Sequence, residues 1–499
     1  MFLRAQHVPQ GSQIHADICV IGAGAAGISF AREFLDTPTT VCILESGEVQ
    51  TSFNRILIGA YRLIYRLLSR LHIPKTRDII LKSIVANFGY DAMYDFEHTG
   101  LPVAHQSRRR SFGGSMIAWG GKWAQLEPID FKQRSWVPNS GWPITQEELA
   151  QYYVRASKSV QAPDPTHKEF DENFLGRGVF ETVEIPVQKK SARNWGKTLY
   201  RDFEQSQNIS VYTGAHVVSI NKESMHIESV SIKTTAGSVC TVRAKYFVLA
   251  CGGIENARLL LASNIGNEHD QVGRYYMDHP RGKCGTIEAS TLVDLSRYWG
   301  QGTDVVGFRL SDDVQEKEGI LNSHIFLESL VYESSLLRKL KALARGKKTA
   351  TTIIVRNHLE QVPSATNRVT LSSAKDTLGI PKAQVAWSLN DLDKKSIVVL
   401  HRYLAQQVEQ AGIGKLHSPL LTDNPSFGAV SEDAAHHMGT TRMGQDPRTS
   451  VVDPNCKIHA LDNMFVAGSS TFSTGGSANP TATICALAVR LADHIKRNV

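Results

Sequence analysis

No apolar run in this chain approaches the roughly 20 residues that a membrane-spanning helix needs. The opening stretch, Met1 to His15, is polar and lacks the apolar core of a secretion signal. Cysteine is sparse: seven in 499 residues, with no CxxC pair. Cys19, Cys42, Cys251 and Cys485 sit in apolar stretches, so buried free thiols in a reducing compartment are expected rather than disulfides or thiolate-bound metal. Cytoplasmic residence is the default expectation. Excess charge is also small, at +7. That suits an anionic cofactor or substrate, but it is too little to argue for nucleic acid, and no zinc-finger or RNA-binding signature is present. Internal repeats and low-complexity linkers are missing, which excludes a solenoid. What remains is an ordinary globular composition, long enough for two packed domains or one large discontinuous one.

Near the start stands Asp17-Ile18-Cys19-Val20-Ile21-Gly22-Ala23-Gly24-Ala25-Ala26-Gly27. The apolar run Ile18 to Ile21 reads as a buried parallel strand. Gly22 allows a tight turn, Gly24 lets the backbone approach a pyrophosphate, and Gly27 lets the next helix pack closely on the strand. A helix over Ile28 to Leu35, with Ala25 in the turn before it, directs N-terminal amides at phosphate oxygens. A second strand, Thr40 to Leu44, ends at Glu45 and Ser46. Glu45 lies roughly 20 residues on, where an acidic side chain binds ribose hydroxyls. Glycines alone would be a weak signal. Strand, glycines, helix, strand and acid in order specify a dinucleotide site.

Further strands are expected at Ile209 to Ile220, where Val217 is placed to meet an adenine, and at Tyr246 to Cys251, ending in Gly252 and Gly253. Ile227 to Thr234 and Ser238 to Arg243 read as a hairpin turning at Ala236-Gly237. A helix over Ile254 to Ser263 and a last strand over Asn463 to Ala467 complete the set. The sheet therefore draws on the start, middle and end of the chain. Alternating runs between Gly285 and about Leu389, including Ile353 to Leu359 and Arg368 to Leu371, suggest an antiparallel sheet forming a pocket wall. Helical patterns cover Gln146 to Ser157 and Lys394 to Gln410. The expected class is α/β, with a discontinuous Rossmann-like domain over residues 1–50, 100–130, 190–284 and 440–499. A substrate domain built on the antiparallel sheet takes 51–99, 131–189 and 285–439. Two basic amphipathic stretches, Arg55 to Leu71 and Leu336 to Lys348, fit either ordinary surface helices or contacts with an anionic membrane.

The end of the chain carries His436-His437-Met438-Gly439-Thr440, then Gly468-Ser469 after the last strand, then Asn479-Pro480-Thr481 opening a helix to about Ile495. An imidazole and a carboxamide in two turn-rich loops around a strand are a candidate catalytic pair. For His436 the bland alternative is a satisfied buried histidine. For Asn479 it is a helix cap. Asp278-His279 has no second ligand cluster to make a metal site, so loop packing is its expected role and no metal ligand is assigned. Arg108, Arg109 and Arg110 fit either a phosphate site or a solvated charge run. Trp119, Trp123, Trp136 and Trp142 could stack on sugar faces, though core packing is the commoner use of tryptophan.

Taken together, the chain resembles the glucose-methanol-choline (GMC) family of FAD-dependent oxidoreductases, and within it the branch with pyranose oxidases and sugar dehydrogenases. Four blocks carry the likeness: the fingerprint through Glu45; Phe112-Gly113-Gly114-Ser115 with Trp119-Gly120-Gly121; Leu249 to Asn256; and the C-terminal block. Met277-Asp278-His279-Pro280 and Glu360-Gln361-Val362-Pro363 with Asn367 support it. The resemblance implies an FAD site that includes Gly113, Gly114, Ser115, Trp119, Gly468, Ser469, Asn479, Pro480 and Thr481. It also implies hydride transfer from an alcohol carbon to flavin N5, with His436 as general base, His437 as second choice, and Asn479 as partner. Some members bind FAD through a histidine after the second glycine motif. Here that place is Ala118, which implies dissociable FAD. The implied substrate is a small-molecule alcohol on a sugar, aminosugar or cyclitol, with O2 or another electron acceptor. A family-type lyase and a membrane-associated oxidase of lipid-linked or sterol-like alcohols are the alternatives.

Overall fold

The computed structural model describes residues 1–49, 96–103, 108–165, 175, 178–295, 304–329 and 349–498. The basic stretches at 55–71 and 336–348 lie outside these residues. Among the described residues an eight-stranded sheet runs in the order Phe2–Arg4, Ile209–Thr213, Val41–Glu45, Gln13–Ile21, Val239–Leu249, His226–Lys233, His216–Glu223, with Met464–Val466 also paired to Val239–Leu249. The strands from Phe2–Arg4 to Val239–Leu249, and Met464–Val466, are parallel. His226–Lys233 and His216–Glu223 extend the sheet antiparallel. The runs Ile18 to Ile21 and Val41 to Leu44 are buried along their whole length, as expected for parallel strands covered on both faces.

Helix Ala25–Arg32 leaves the first glycine turn and packs against the C-terminal helix Thr481–Lys496, which in turn packs on Gln146–Ser159. Small residues make that packing close: Ala482, Ala486, Ala488 and Ala492 are fully buried, and alanine is also the best helix former. Arg155 joins the layer from outside. It donates to Glu33 at 2.5 Å and also pairs with Asp493. All seven cysteines are free, six of them buried and Cys251 half-buried.

The second layer is a six-stranded antiparallel sheet in the order Gly414–His417, Arg281–Asp294, Thr349–Leu359, Ser323–Ser329, Asp304–Leu310, Phe180–Pro186. Helix Asp391–Gln410 covers it, burying Val399, Leu400, Leu404 and Val408 against Ile287, Ile353 and Val355. This is the expected pocket wall, with one correction. Arg368–Lys375 does not join it. That strand pairs with Pro381–Trp387, which runs parallel to Phe96–Gly100, in a separate three-stranded sheet.

Two further expectations change. The run Ile209 to Ile220 is two strands, because Gly214 turns at φ 66° and the chain re-enters at His216. Ser238 to Arg243 and Tyr246 to Leu249 are instead one strand, Val239–Leu249. Its first half pairs antiparallel with His226–Lys233, while its length lies parallel to Gln13–Ile21. The hydrophobic alternation stops midway: over the last residues Met464–Val466 replaces His226–Lys233 as the second neighbour, and Phe247, Val248 and Leu249 are all buried.

A buried ion pair ties the segment after Pro128–Phe131 to the antiparallel sheet. Arg134 grips Glu360 through two hydrogen bonds of 2.8 and 2.5 Å, and both side chains are at most 1% exposed. Glu360 also accepts the Asn322 amide at 2.7 Å. Removing one partner of such a pair strands the other charge in the interior. Glu360→Ala is therefore expected to destabilise the fold by about 3–5 kcal/mol. Equilibrium denaturant unfolding measures this, and an unchanged midpoint would remove the pair from the list of structural ties.

Candidate active site

A cavity of about 550 Å³ runs from Glu45, Arg110 and Val217 at one end to His436 and Asn479 at the other. That is within the range of small-molecule and cofactor sites. The glycines shape it. Gly22 has φ 105°, and a Cβ there would sit 2.6 Å from the Ala250 carbonyl oxygen. Gly24 faces open space, whereas a Cβ on Gly114 would meet the Gly24 Cα at 2.9 Å. The second glycine motif is thus folded against the first, leaving a backbone cradle above the N-terminus of helix Ala25–Arg32. No side chain caps that helix, so its first amides are available to phosphate.

Glu45 is buried, and it accepts the Ala23 amide at 3.0 Å and the Gly47 amide at 2.8 Å. Burial pushes its carboxyl above the usual range, against these hydrogen bonds and Arg110. The cofactor residues expected from the sequence all line the cavity except Gly27 and Gly113. Those two are packing glycines: a Cβ would lie 2.0 Å from Gly22 O at Gly27, and 2.6 Å from Gly196 N at Gly113. An elongated dinucleotide fits this set, with the ribose acid at one end and the amide cradle midway.

The arginine run is not a solvated patch. Arg108, Arg109 and Arg110 all line the cavity, and Arg108 pairs with Glu255 at 3.4 Å. Three of the four tryptophans are structural. Trp123 donates to Ser157 at 2.9 Å, Trp136 to the Ile320 carbonyl at 2.9 Å and Trp142 to Thr474 at 2.8 Å. Only Trp119 of the four lines the cavity, and its ring nitrogen donates to the Arg193 carbonyl at 2.8 Å.

At the far end the loop bearing His436 is pinned by backbone hydrogen bonds between Met277 and Met438, of 3.0 and 2.9 Å. This brings His279 opposite His436, with their Nδ1 atoms 2.8 Å apart. His279 Nε2 lies 2.9 Å from the Gly476 carbonyl, and His436 Nε2 lies 3.1 Å from Asn479 Nδ2. Both rings are held neutral. Burial lowers His279 to about 4. Burial, then His279, Arg281, Lys122 and His437, hold His436 well below the ordinary value.

Neutrality fixes every proton. A carbonyl only accepts, so His279 carries its proton on Nε2 and offers a lone pair at Nδ1. His436 must then donate from Nδ1, which leaves the lone pair of its Nε2 facing the Asn479 N–H. The amide orientation follows from the same chain.

Asp278, fully buried, holds the loop from behind. It accepts the amides of His279 at 2.6 Å, Ala434 at 3.0 Å and His436 at 3.1 Å. Burial, then Asp433, raises its carboxyl to about 7. Loop packing describes Asp278, but His279 belongs to the site, which local sequence did not reveal. His437 instead stacks on Tyr276 (centroids 6.0 Å apart) with Nε2 3.9 Å from Asp278. Asn479 is paired with His436, not with His437. Nor is Asn479 a helix cap, since Pro480 occupies that position without a side-chain hydrogen bond.

His279, His358 and His436 each bring a ring nitrogen within 4.8 Å of the others. His358 Nδ1 donates to the Ser477 carbonyl at 2.9 Å. Its Nε2 is then the one nitrogen of the three rings outside the hydrogen-bond set, so hydrogen bonding rather than chelation accounts for the arrangement.

Family profiles for GMC oxidoreductase match residues 137–281 and 363–488. The chain belongs to the GMC oxidoreductase family. It is accordingly an FAD-dependent enzyme that oxidises alcohols. The fructose dehydrogenase large subunit of Gluconobacter japonicus is 31% identical over 277 residues, which is 51% of this chain and 47% of that protein. This chain's match thus spans about half of that relative. Paromamine 6'-oxidase of Streptomyces fradiae is 24% identical over 96% of this chain and 91% of its own length. 2-Methyl-1,2-propanediol dehydrogenase of Mycolicibacterium austroafricanum is 25% identical over 81% and 83%. The fold matches pyridoxine 4-oxidase from Mesorbium loti (TM-score 0.57, 18% identity, 97% of this chain and 99% of that one). It also matches a formate oxidase (TM-score 0.58, 16% identity, 98% and 99%).

The proton arrangement has a direct readout. Ring nitrogen-15 NMR of the FAD-bound enzyme, with His436 assigned by difference from His436→Gln, is expected to show a protonated Nδ1 and an unprotonated Nε2. Because the folded value is lowered, that pattern persists as pH falls through 6.5, the ordinary histidine value. A His436 signal titrating near 6.5 would contradict it.

Proposed function

We propose that His436 is the general base and Asn479 the substrate-oxygen donor in the oxidation of a polyol hydroxyl, on a sugar, aminosugar or cyclitol type of substrate. The observation that carries this reading is the 3.1 Å approach of Asn479 Nδ2 to His436 Nε2, the nitrogen that the hydrogen bonds of His279 leave as an acceptor. A substrate hydroxyl placed between them donates to Nε2 and accepts from the amide, and its proton passes to Nε2 as the C–H bond breaks. Bound FAD supplies the two-electron acceptor that receives the hydride. His279 keeps the His436 ring in the tautomer that accepts there, and the Gly476 carbonyl fixes His279 in turn. Asp278, behind the loop, holds the His436 backbone amide in place while the ring takes up the proton. The named activities of the relatives, on a ketose, an aminoglycoside and a diol, support a polyhydroxylated alcohol.

The cofactor is held without a covalent bond in this reading. Ala118 lines the cavity and offers no nucleophilic atom. Acid precipitation is expected to release all of the flavin into the supernatant; colour retained in the protein pellet would refute this.

Removing the base is expected to slow anaerobic flavin reduction by about 10²–10⁴-fold in His436→Ala. Asn479→Ala is expected to lose about 10²-fold, as for a lost oxyanion donor. FAD content should stay at the wild-type level in both. Stopped-flow reduction of the flavin band measures each, and wild-type rates in His436→Ala would end the assignment.

A further inference from the structure

The cavity wall beside His436 carries a cluster of cations. On the six-stranded sheet Arg281 pairs directly with His358, and Phe326 with Arg356. Residues paired across strands, or two apart along one, point to one face. Arg281, Phe326, Arg356 and His358 therefore share a face, and all four line the cavity. Lys122 comes from the other side, just after Gly120-Gly121. Its ammonium lies 4.6 Å from the centre of the Phe326 ring.

Among the described residues no carboxylate lies within 4.0 Å of Arg281 or Lys122, and the buried Nε of Arg281 has no hydrogen-bond partner. Burial, then Arg356 and Arg281, pulls Lys122 down to about 8. Arg356 does have a counter-charge: its Nε donates to Glu328 at 2.5 Å. But Glu328 is shared with Lys283 at 3.3 Å.

We propose that this wall is an anion subsite, and that the substrate alcohol carries a carboxylate or phosphate held by Arg281, Lys122 and Arg356. The inference rests on the alcohol-oxidation reading and narrows its substrate class. Arg281, Lys122 and Arg356 are half-buried, and a partly desolvated cation without a partner is costly, so an anion offsets Arg281 and Lys122 where a neutral hydroxyl cannot. A guanidinium and an ammonium on an apolar ring suit carboxylate or phosphate oxygens. The subsite is separate from the cofactor's phosphate cradle. Arg281 and Lys122 act on His436, whereas Arg110 acts on Glu45 at the opposite end. An aminosugar ammonium meets repulsion here.

Anaerobic reduction of the FAD holoenzyme by glucose, glucosamine, gluconate and glucose 6-phosphate tests this directly. An anionic member is expected to half-saturate at a concentration about ten-fold or more below glucose, with the advantage shrinking as salt is added. Gluconate against glucose 6-phosphate decides between carboxylate and phosphate. Arg281→Ala should raise the half-saturating concentration for the anion about ten-fold more than for glucose. Lys122→Met serves if that variant loses FAD. Preference for glucose or glucosamine, or an equal loss on all substrates, overturns the subsite.

If no alcohol reduces the flavin, the alcohol-oxidation reading fails instead. The subsite is then read by perturbation of the oxidised flavin spectrum with gluconate or inorganic phosphate. A shift abolished by Arg281→Ala upholds it, and no shift with either anion overturns it.

Discussion

Three parallel strands that end level with one another set everything else in this molecule. Ile21, Leu249 and Val466 are in register across Gln13–Ile21, Val239–Leu249 and Met464–Val466. Each strand then runs within three residues onto a glycine of positive φ: Gly22 at 105°, Gly252 at 87° and Gly468 at 117°. The hydrogen bonds that fix the edge, Ala250 N–H to Ile21 O and Ala467 N–H to Leu249 O, are both 2.8 Å. A slip of one residue in either pairing would turn buried side chains to the wrong face and move a glycine off the edge. Because Val239–Leu249 holds both outer strands, it brings the two ends of the chain together. The crevice at the carboxyl ends of such strands is where a doubly wound sheet binds its cofactor.

The loop bearing His436 is seated on that edge rather than beside it. Ser469 Oγ donates to the His437 carbonyl at 2.7 Å, and the Gly439 amide donates to the Ser469 carbonyl at 3.1 Å. A Cβ on Gly253 would lie 2.2 Å from that same His437 carbonyl. The other side of the site is set by the antiparallel layer. Asp130, kept protonated by burial and by the nearby carboxylates Glu360 and Glu127, with a value of about 8, packs against Gly476. A Cβ there would sit 2.3 Å from its carboxyl oxygen. The Gly476 carbonyl then fixes the His279 tautomer, and His279 fixes that of His436. The Arg134–Glu360 pair thus lies only a few contacts from His436. Gln361 contributes in the same way: it accepts from the Trp387 ring at 2.8 Å and from the Asp278 amide at 3.2 Å.

Features that depend on neighbours in sequence were legible before folding. The glycine fingerprint, Glu45 and the helix beginning at Thr481 each follow from a few consecutive residues, and His436 with Asn479 stood out because each closes a turn-rich motif. Features that depend on tertiary pairing were not. His279 read as loop packing because its partner is 157 positions away. His358 sat in an expected strand with nothing to mark its face as the cavity face. Arg281 and Arg356 alternate with apolar residues as any sheet cation would, and only the absence of facing carboxylates gives them meaning. The separate sheet at Arg368–Lys375 was missed for a related reason: alternation shows that a strand is half-buried but not which sheet buries it.

The cations beside His436 present a problem that the anion subsite resolves. A base works best when its pKa lies near the working pH, yet Arg281 and Lys122 help to hold this imidazole far below it. The same positive field favours the alkoxide that forms as the hydroxyl loses its proton, so part of the lost basicity returns as a more acidic substrate. An anion bound between Arg281 and Lys122 offsets a further part: it removes their repulsion of His436, while the desolvation, the larger cause, stays. The base is then weakest in the free enzyme, where it has nothing to deprotonate, and gains strength once a substrate carrying the matching charge is in place. In this arrangement recognition and reactivity depend on the same two side chains, and a neutral alcohol that fills the cavity still meets an underpowered base.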